Sequence, residues 1–273
     1  MNMYPRTLLS AALVLAAISA QAVPVLQVGA PGGPGQGTYA DYLTSSSSPT
    51  EADTAITNGN TLYVAGVYQQ ASVVNLGGLY AGGADWGSMT YAKDQYFASV
   101  FNGKGAVLMA TVAEGATGTL KVNGLDAFYS SDTSLFPNNH DPVKDTTADF
   151  LFFDIGNFQR LTGAVPDFAS ETGSADGEIK SLSLSISGFD WVHFDVMALE
   201  TTQKENGNRV TTVVTLENNP GSHDVTWKSD GGGGGDCLPG EPNCGNNVPE
   251  PSALALVGLG LVGLVAARRR RSR

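Results

Sequence analysis

Ser222, His223 and Asp224 place a hydroxyl, an imidazole and a carboxylate in one tripeptide, the three groups of a hydrolase triad. Such triads assemble in space from separated positions, whereas neighbours along an extended strand point to opposite faces. The tripeptide therefore reads as a turn that caps a final strand. No Gly-x-Ser-x-Gly elbow stands elsewhere in the chain to supply a nucleophile. The other two histidines, His140 and His193, stand isolated in the sequence, one expected to face solvent and the other a sheet neighbour. Glycoside hydrolysis needs two carboxylates facing across a cleft, and the sequence pairs no two acids. No catalytic residue is assigned, and the expectation is a protein that is not an enzyme.

A second set of groups suits cation binding. Asp132, Asp141, Asp145, Asp149 and Asp154, with Asn138 and Asn139 between them, put hard oxygen ligands on a Pro-containing loop. Calcium takes six to eight such oxygens and tolerates irregular geometry. The spacing lacks the central Gly and closing Glu of an EF-hand. Asp141, Asp145 and Asp149 are the candidate metal ligands; a solvated acidic loop with no resident cofactor is the preferred reading, with calcium as the alternative. Gly77-Gly78 and Gly82-Gly83 are followed by no Lys-Ser/Thr, so they read as tight turns rather than a phosphate cradle. Trp86, Tyr91, Tyr96, Tyr129 and Trp191 could stack on sugar rings if they shared an exposed face, although aromatic residues of a β domain mostly fill its core.

Charge narrows the partners. Of the 15 basic and 26 acidic residues, 6 and 3 lie in the terminal segments and late linker, leaving 9 against 23 in residues 24–230, a net −14. That surface repels nucleic-acid phosphates and anionic head groups, so nucleic-acid binding is disfavoured. Cys237 and Cys244 are the two cysteines of the chain. They sit on a Pro/Gly loop outside the core, without a nearby histidine, and in an oxidising compartment are expected to form a small local disulfide rather than a zinc site.

The elements that would hold these groups are strands. Thr61–Tyr68 is rich in β-branched and aromatic residues. Tyr96–Phe101 and Ala106–Val112 flank Asn102-Gly103-Lys104-Gly105, a hairpin signal, and Thr119–Val122 runs into an Asn123-Gly124 turn. Ser181–Ser187 alternates strictly between polar and apolar residues. Trp191–Ala198 follows a Gly188-Phe189-Asp190 bend, Arg209–Leu216 pairs with it across Glu205–Asn208, and Asp224–Trp227 is a last short strand. Short strands are also expected at Tyr39–Leu43 and Phe150–Phe153, with a short helix at Ala84–Tyr91 or in the 150s. This pattern predicts an all-β fold, an antiparallel β-sandwich of jelly-roll type, over residues 23–230. Residues 231–247, opening on Gly231–Gly235, form a Gly/Pro-rich linker.

The ends are of another kind. Arg6, the apolar run Leu8–Ile18 and Ala20-Gln21-Ala22 have the order of a secretory signal peptide over residues 1–22. Ala20 and Ala22 are the small residues before the cut, and signal peptidase is the implied partner. Residues 248–273 run Pro249-Glu250-Pro251, an apolar stretch from Ser252 to Ala267, then the arginines Arg268–Arg271 and Arg273. Sixteen helical residues rise about 24 Å, a short transmembrane helix whose arginines stay cytoplasmic. This tail resembles the PEP-CTERM sorting signal of Gram-negative bacteria. The resemblance implies processing near Pro249, Glu250 and Pro251 by a membrane exosortase. It also implies transient anchoring in the inner membrane, then the cell surface, outer envelope or an exopolysaccharide matrix. More softly, Trp191-Val192-His193-Phe194-Asp195 and Pro220–Trp227 resemble the end of bacterial choice-of-anchor domains of the N type, which implies a β-rich extracellular module without known catalytic residues. The function expected is that of a non-enzymatic surface or matrix protein; the alternative is a carbohydrate-binding module, with or without calcium.

Overall fold

The computed structural model describes residues 23–32, 37–39, 54–78, 103–133, 143 and 148–229. The signal-peptide, linker, cysteine and tail assignments, the short helix at Ala84–Tyr91, and the strand at Tyr96–Phe101 lie outside them. The described residues form two sheets and contain no helix. In the first sheet β1 (Leu26–Gly29), β3 (Thr61–Val67), β10 (Ala175–Ser187) and β6 (Thr119–Val122) follow one another, and β9 (Leu161–Val165) also pairs with β10. The second runs β2 (Ala55–Thr57), β13 (Val225–Lys228), β11 (Trp191–Asn206), β5 (Ala106–Ala113), β8 (Ala148–Gly156) and β7 (Tyr129–Ser131). The far half of β11 pairs instead with β4 (Val73–Gly77) and β12 (Arg209–Asn218). All pairings are antiparallel except β2 with β13, which is parallel.

One core joins the two sheets. Leu26, Val28, Leu62, Val64, Leu182 and Leu184 of the first sheet cluster with Leu108, Ala110, Phe153, Val192, Phe194 and Val196 of the second. The strict alternation of Ser181–Ser187 works as expected: Leu182 and Leu184 are buried, and Ser181, Ser183, Ser185 and Ser187 are exposed. The Asn123-Gly124 turn forms with both residues at positive φ, 52° and 77°. Val122 and Leu125 exchange both backbone bonds across it, the geometry of a two-residue hairpin.

The second sheet is buried on both faces. Val107, Met109, Phe150, Phe152, Met197 and Leu199 point away from the shared core and form a second apolar cluster, which Val143 joins from outside the strands. The near-continuous apolar run of β5 reflects this, since a strand buried on both faces loses its period of two. β8 lies along one edge of β5 over its whole length and β11 along the other over Val107–Thr111; the first strand of the hairpin expected between Tyr96–Phe101 and Ala106–Val112 lies outside the described residues. One expectation falls here. The 150s carry no helix: Ala148–Gly156 is β8, lengthened beyond the expected Phe150–Phe153. Of the Tyr39–Leu43 strand, Tyr39 alone is described, in an isolated bridge with Pro31.

Gly66 of β3 gives the buried ring of Phe158 its seat. A Cβ at position 66 would overlap the ring itself, and Tyr68 Oη donates to the Phe158 carbonyl at 2.7 Å beside it. Gly66→Ala is expected to lower stability by about 1–3 kcal/mol in urea unfolding. Glu217 offers a test of charge. Burial raises its carboxyl above the ordinary 4.5, a hydrogen bond with Thr215 opposes the rise, and the Glu200 carboxylate adds to it. The folded state then holds a proton that the unfolded chain has lost, so stability falls as pH rises from 4.5 through the raised value. Glu217→Gln should raise the melting temperature at pH 7 by about 1–3 °C, and the gain should vanish near pH 4.

Candidate functional site

β11 changes partners along one edge. Its first residues, Trp191–Phe194, pair with β13, and from Met197 onward with β12. Between them the ladder is carried by a side chain. Asn219, just past the end of β12, accepts from Val196 N through Oδ1 at 2.8 Å and donates from Nδ2 to Asp195 Oδ1 at 2.8 Å. Its own N–H donates to the Val196 carbonyl at 3.3 Å. Pro220 and Gly221 then turn the chain back into β13, which starts at Val225.

This turn brings three ionisable groups together on the outward face of the sheet. His193 and Asp195 stand two residues apart on β11 and so share a face. The β13 register sets Thr226 opposite His193, with Asp224 two residues before it. His193 Nε2 lies 3.3 Å from Asp195 Oδ2 and 3.8 Å from Asp224 Oδ2. One ligand-type atom from each residue falls within 4.8 Å of the other two. The other ring nitrogen, Nδ1, is 2.9 Å from Thr226 Oγ1, and that hydroxyl is 3.2 Å from Thr54 Oγ1. On the other side of His193, Thr111 of β5 is its register partner; its buried Oγ1 has no hydrogen-bond partner among the described residues. His193 and Asp195 are 0% exposed and Asp224 is 2% exposed. The expectation that His193 is isolated is thus corrected: it has the sheet neighbour foreseen, and two carboxylates as well.

The tripeptide at 222–224 divides as strand geometry requires. Asp224 joins His193, while His223 turns the other way, its Nε2 3.6 Å from Asp167 Oδ1 and its Nδ1 2.9 Å from Ser222 Oγ. Burial lowers the pKa of the His223 imidazole below its ordinary 6.5, and the Asp167 carboxylate opposes that shift. The His223 carbonyl accepts from Val28 N at 2.9 Å, tying the turn to β1. A hydroxyl, an imidazole and a carboxylate do line up elsewhere, as Thr226, His193 and Asp195, but Thr226 is fully buried within the sheet.

The acidic stretch is put to other uses where it is described. Asp149 Oδ2 accepts from Gly115 N at 2.8 Å, and Asp154 Oδ1 from Gly105 N at 2.8 Å and Gly156 N at 3.0 Å. These carboxylates tie down turns at the end of β5 and beside β8. Asp132 and Asp149 share the wall of a surface depression of about 490 Å³ with Tyr129 and Ser130. Asp141, Asp145, Asn138, Asn139 and His140 lie outside the described residues, as do Trp86, Tyr91 and Tyr96. The remaining two aromatic candidates form no common platform: Tyr129 lies on β7 at one edge of the sheet, packed on Phe152 at 5.6 Å, and Trp191 opens β11 three strands away. Ala20, Ala22, Cys237, Cys244, Pro249, Glu250 and Pro251 also lie outside the described residues.

The signal that could have located the buried cluster is short. A His-x-Asp pair inside a strand puts imidazole and carboxylate on one face, but Asp224 joins them only through the β11–β13 register. If the cluster holds the sheet together, Thr226→Val should cost about 1–3 kcal/mol in urea unfolding, because it leaves a buried ring nitrogen without its hydroxyl. Ser222→Ala should leave the unfolding midpoint unchanged, since Ser222 is exposed.

Among the described residues no helix is long and apolar enough to cross a membrane. Residues 247–271 match the PEP-CTERM protein-sorting motif, so the chain carries that signal at its C-terminal end. No curated protein and no solved structure matches the chain.

Proposed function

We propose, from the sorting motif at residues 247–271, that the chain is an exported, non-enzymatic surface or matrix protein whose β domain is the delivered part. Exosortase is the processing partner that the motif implies, and an inner-membrane anchor before processing fits its apolar stretch and arginines. The signal-peptide pattern of residues 1–22 supports entry into the export pathway. The β domain is a sandwich of jelly-roll type in this reading, supported by the core shared between its two sheets. The likeness to choice-of-anchor domains is supported by the pairing of its two carrying stretches, β11 and β13, along one ladder. The hydroxyl–imidazole–carboxylate series Thr226–His193–Asp195 is sealed from solvent, so this reading gives it a structural role.

Mass spectrometry of the protein from the cell-surface fraction tests this. The expected product begins at Val23 or Pro24 and ends near Pro249-Glu250-Pro251. A chain that still ends at Arg273 in that fraction would sink the sorting role.

A second reading is favoured by one observation, the depression in which Tyr129 lies beside Asp132 and Asp149. An aromatic ring next to acidic and hydroxyl groups suits a sugar, which would make the domain a carbohydrate-binding module, with calcium bridging the acids. A pull-down on exopolysaccharide with calcium, with EDTA, and with calcium restored should retain the protein in the first and third arms only. No retention on any glycan removes the binding-module reading and leaves the first one standing.

A further inference from the structure

We propose that His193 Nε2, Asp195 Oδ2 and Asp224 Oδ2 are three ligands of a structural metal site for a first-row divalent ion, zinc fitting best. Zinc binds imidazole nitrogen and carboxylate oxygen at about 2.0–2.2 Å in tetrahedral sites, which sets neighbouring ligand atoms roughly 3.3–3.6 Å apart. The observed separations from Nε2 are 3.3 Å and 3.8 Å, and the three ligand atoms lie within 4.8 Å of one another. Calcium prefers six to eight oxygens at longer range and has little use for an imidazole, so this donor set is of a different class from the acidic loop.

A shared proton fits the geometry less well. A charge-assisted N–H···O bond shortens to about 2.7–2.9 Å and serves one acceptor along the ring axis. Here Nε2 faces two carboxylate oxygens at once, both beyond that distance. A single ion held between the three atoms satisfies both carboxylates together.

The surroundings are those of a metal site as well. Ligating histidines have their second nitrogen fixed by a hydrogen-bonding partner, and ligating carboxylates are held in the same way. His193 Nδ1 is held by Thr226, which Thr54 holds in turn. Asp195 Oδ1 is held by Asn219 Nδ2. These bonds turn Nε2 and Oδ2 toward the same point. The buried Thr111 hydroxyl, opposite His193 on the next strand, is a further oxygen on the same face.

The ion would act as a cross-link. Residues 23–230 contain no cysteine, so no disulfide can staple the domain. Ligands from β11 and from the turn into β13 would fasten the last strand to the longest one. The site is independent of where the protein is displayed.

The test uses the full-length chain, purified and stripped with a chelator. Addition of Zn²⁺ should restore one ion per chain by elemental analysis and raise the melting temperature by about 5 °C or more. Asp224→Asn should weaken uptake at least tenfold, about the loss expected for a disturbed site, while Asp126→Asn, at an exposed acid paired with Lys121, should leave it unchanged. Co²⁺ in the wild-type chain should give the visible bands of a tetrahedral nitrogen–oxygen site without a thiolate charge-transfer band. That spectrum decides the matter even where Asp224→Asn fails to fold. Substoichiometric uptake by the wild type, a thiolate band pointing to Cys237 and Cys244, or equal uptake by Asp224→Asn would each overturn the proposal.

Discussion

The amide of Asn219 is the contact on which the second sheet depends. β11 is 16 residues long and needs partners along its whole length, yet no strand runs beside all of its β12–β13 edge. The chain solves this by ending β12, looping out after Asn219, and rejoining the same edge in the same direction as β13. Asn219 supplies at Val196 the donor and acceptor that a strand backbone would have offered. An unpaired buried peptide group costs about 1–3 kcal/mol, so a break in the ladder here would be expensive. The same amide holds Asp195 in place, and thereby couples the continuity of the sheet to the geometry of the buried ionisable groups.

That coupling has an energetic reason. A sheet buried on both faces has no water to solvate polar side chains that its strands bring inward. Its outer face is apolar through Met109, Phe150, Phe152, Met197 and Leu199; toward one end His193, Asp195, Asp224, Thr111 and Thr226 stand together on it, and toward the other lies the buried Thr201. Grouping lets Thr226 hold the His193 ring and Asn219 hold Asp195, whereas the same side chains scattered through the sheet would each carry a separate desolvation cost. Along Ser181–Ser187 of β10 the first sheet faces no such problem, since the serines meet solvent.

What could be read from the sequence follows the same division. Ser181–Ser187 showed its inward face because only one face is buried, and the Asn123-Gly124 turn was legible because its backbone requires two residues at positive φ. The strands of the doubly buried sheet were legible as strands but not in their partners. Ala106–Val112 is apolar on both sides, so nothing in it marked β8 and β11 as the neighbours it takes. The acids of 132–154 were visible as a composition, but Asp149 and Asp154 spend their oxygens on the backbone of turns. His193 and Asp195 carried a local signal. Asp224 did not, because strands 30 residues apart in sequence meet only through a register that the turn at Asn219-Pro220-Gly221 fixes.

The position of the cluster bears on what a displayed domain must withstand. β13 is the last strand among the described residues, four residues long, and Gly231–Gly235 follows it in the sequence on the way to the tail. Any pull on that tail reaches the domain through β13 first. Its ladder is short, four register pairs with β11 and three with β2, so backbone pairing alone gives it little hold. Contacts at its start add to that hold: the Thr226 side chain bonds to His193, Asp224 lies against the same imidazole, and the His223 backbone carbonyl is tied to β1. A buried polar cluster is an inefficient way to stabilise a sheet in general. It becomes a reasonable one where a short terminal strand must be fastened in a domain that has no cysteine to do it.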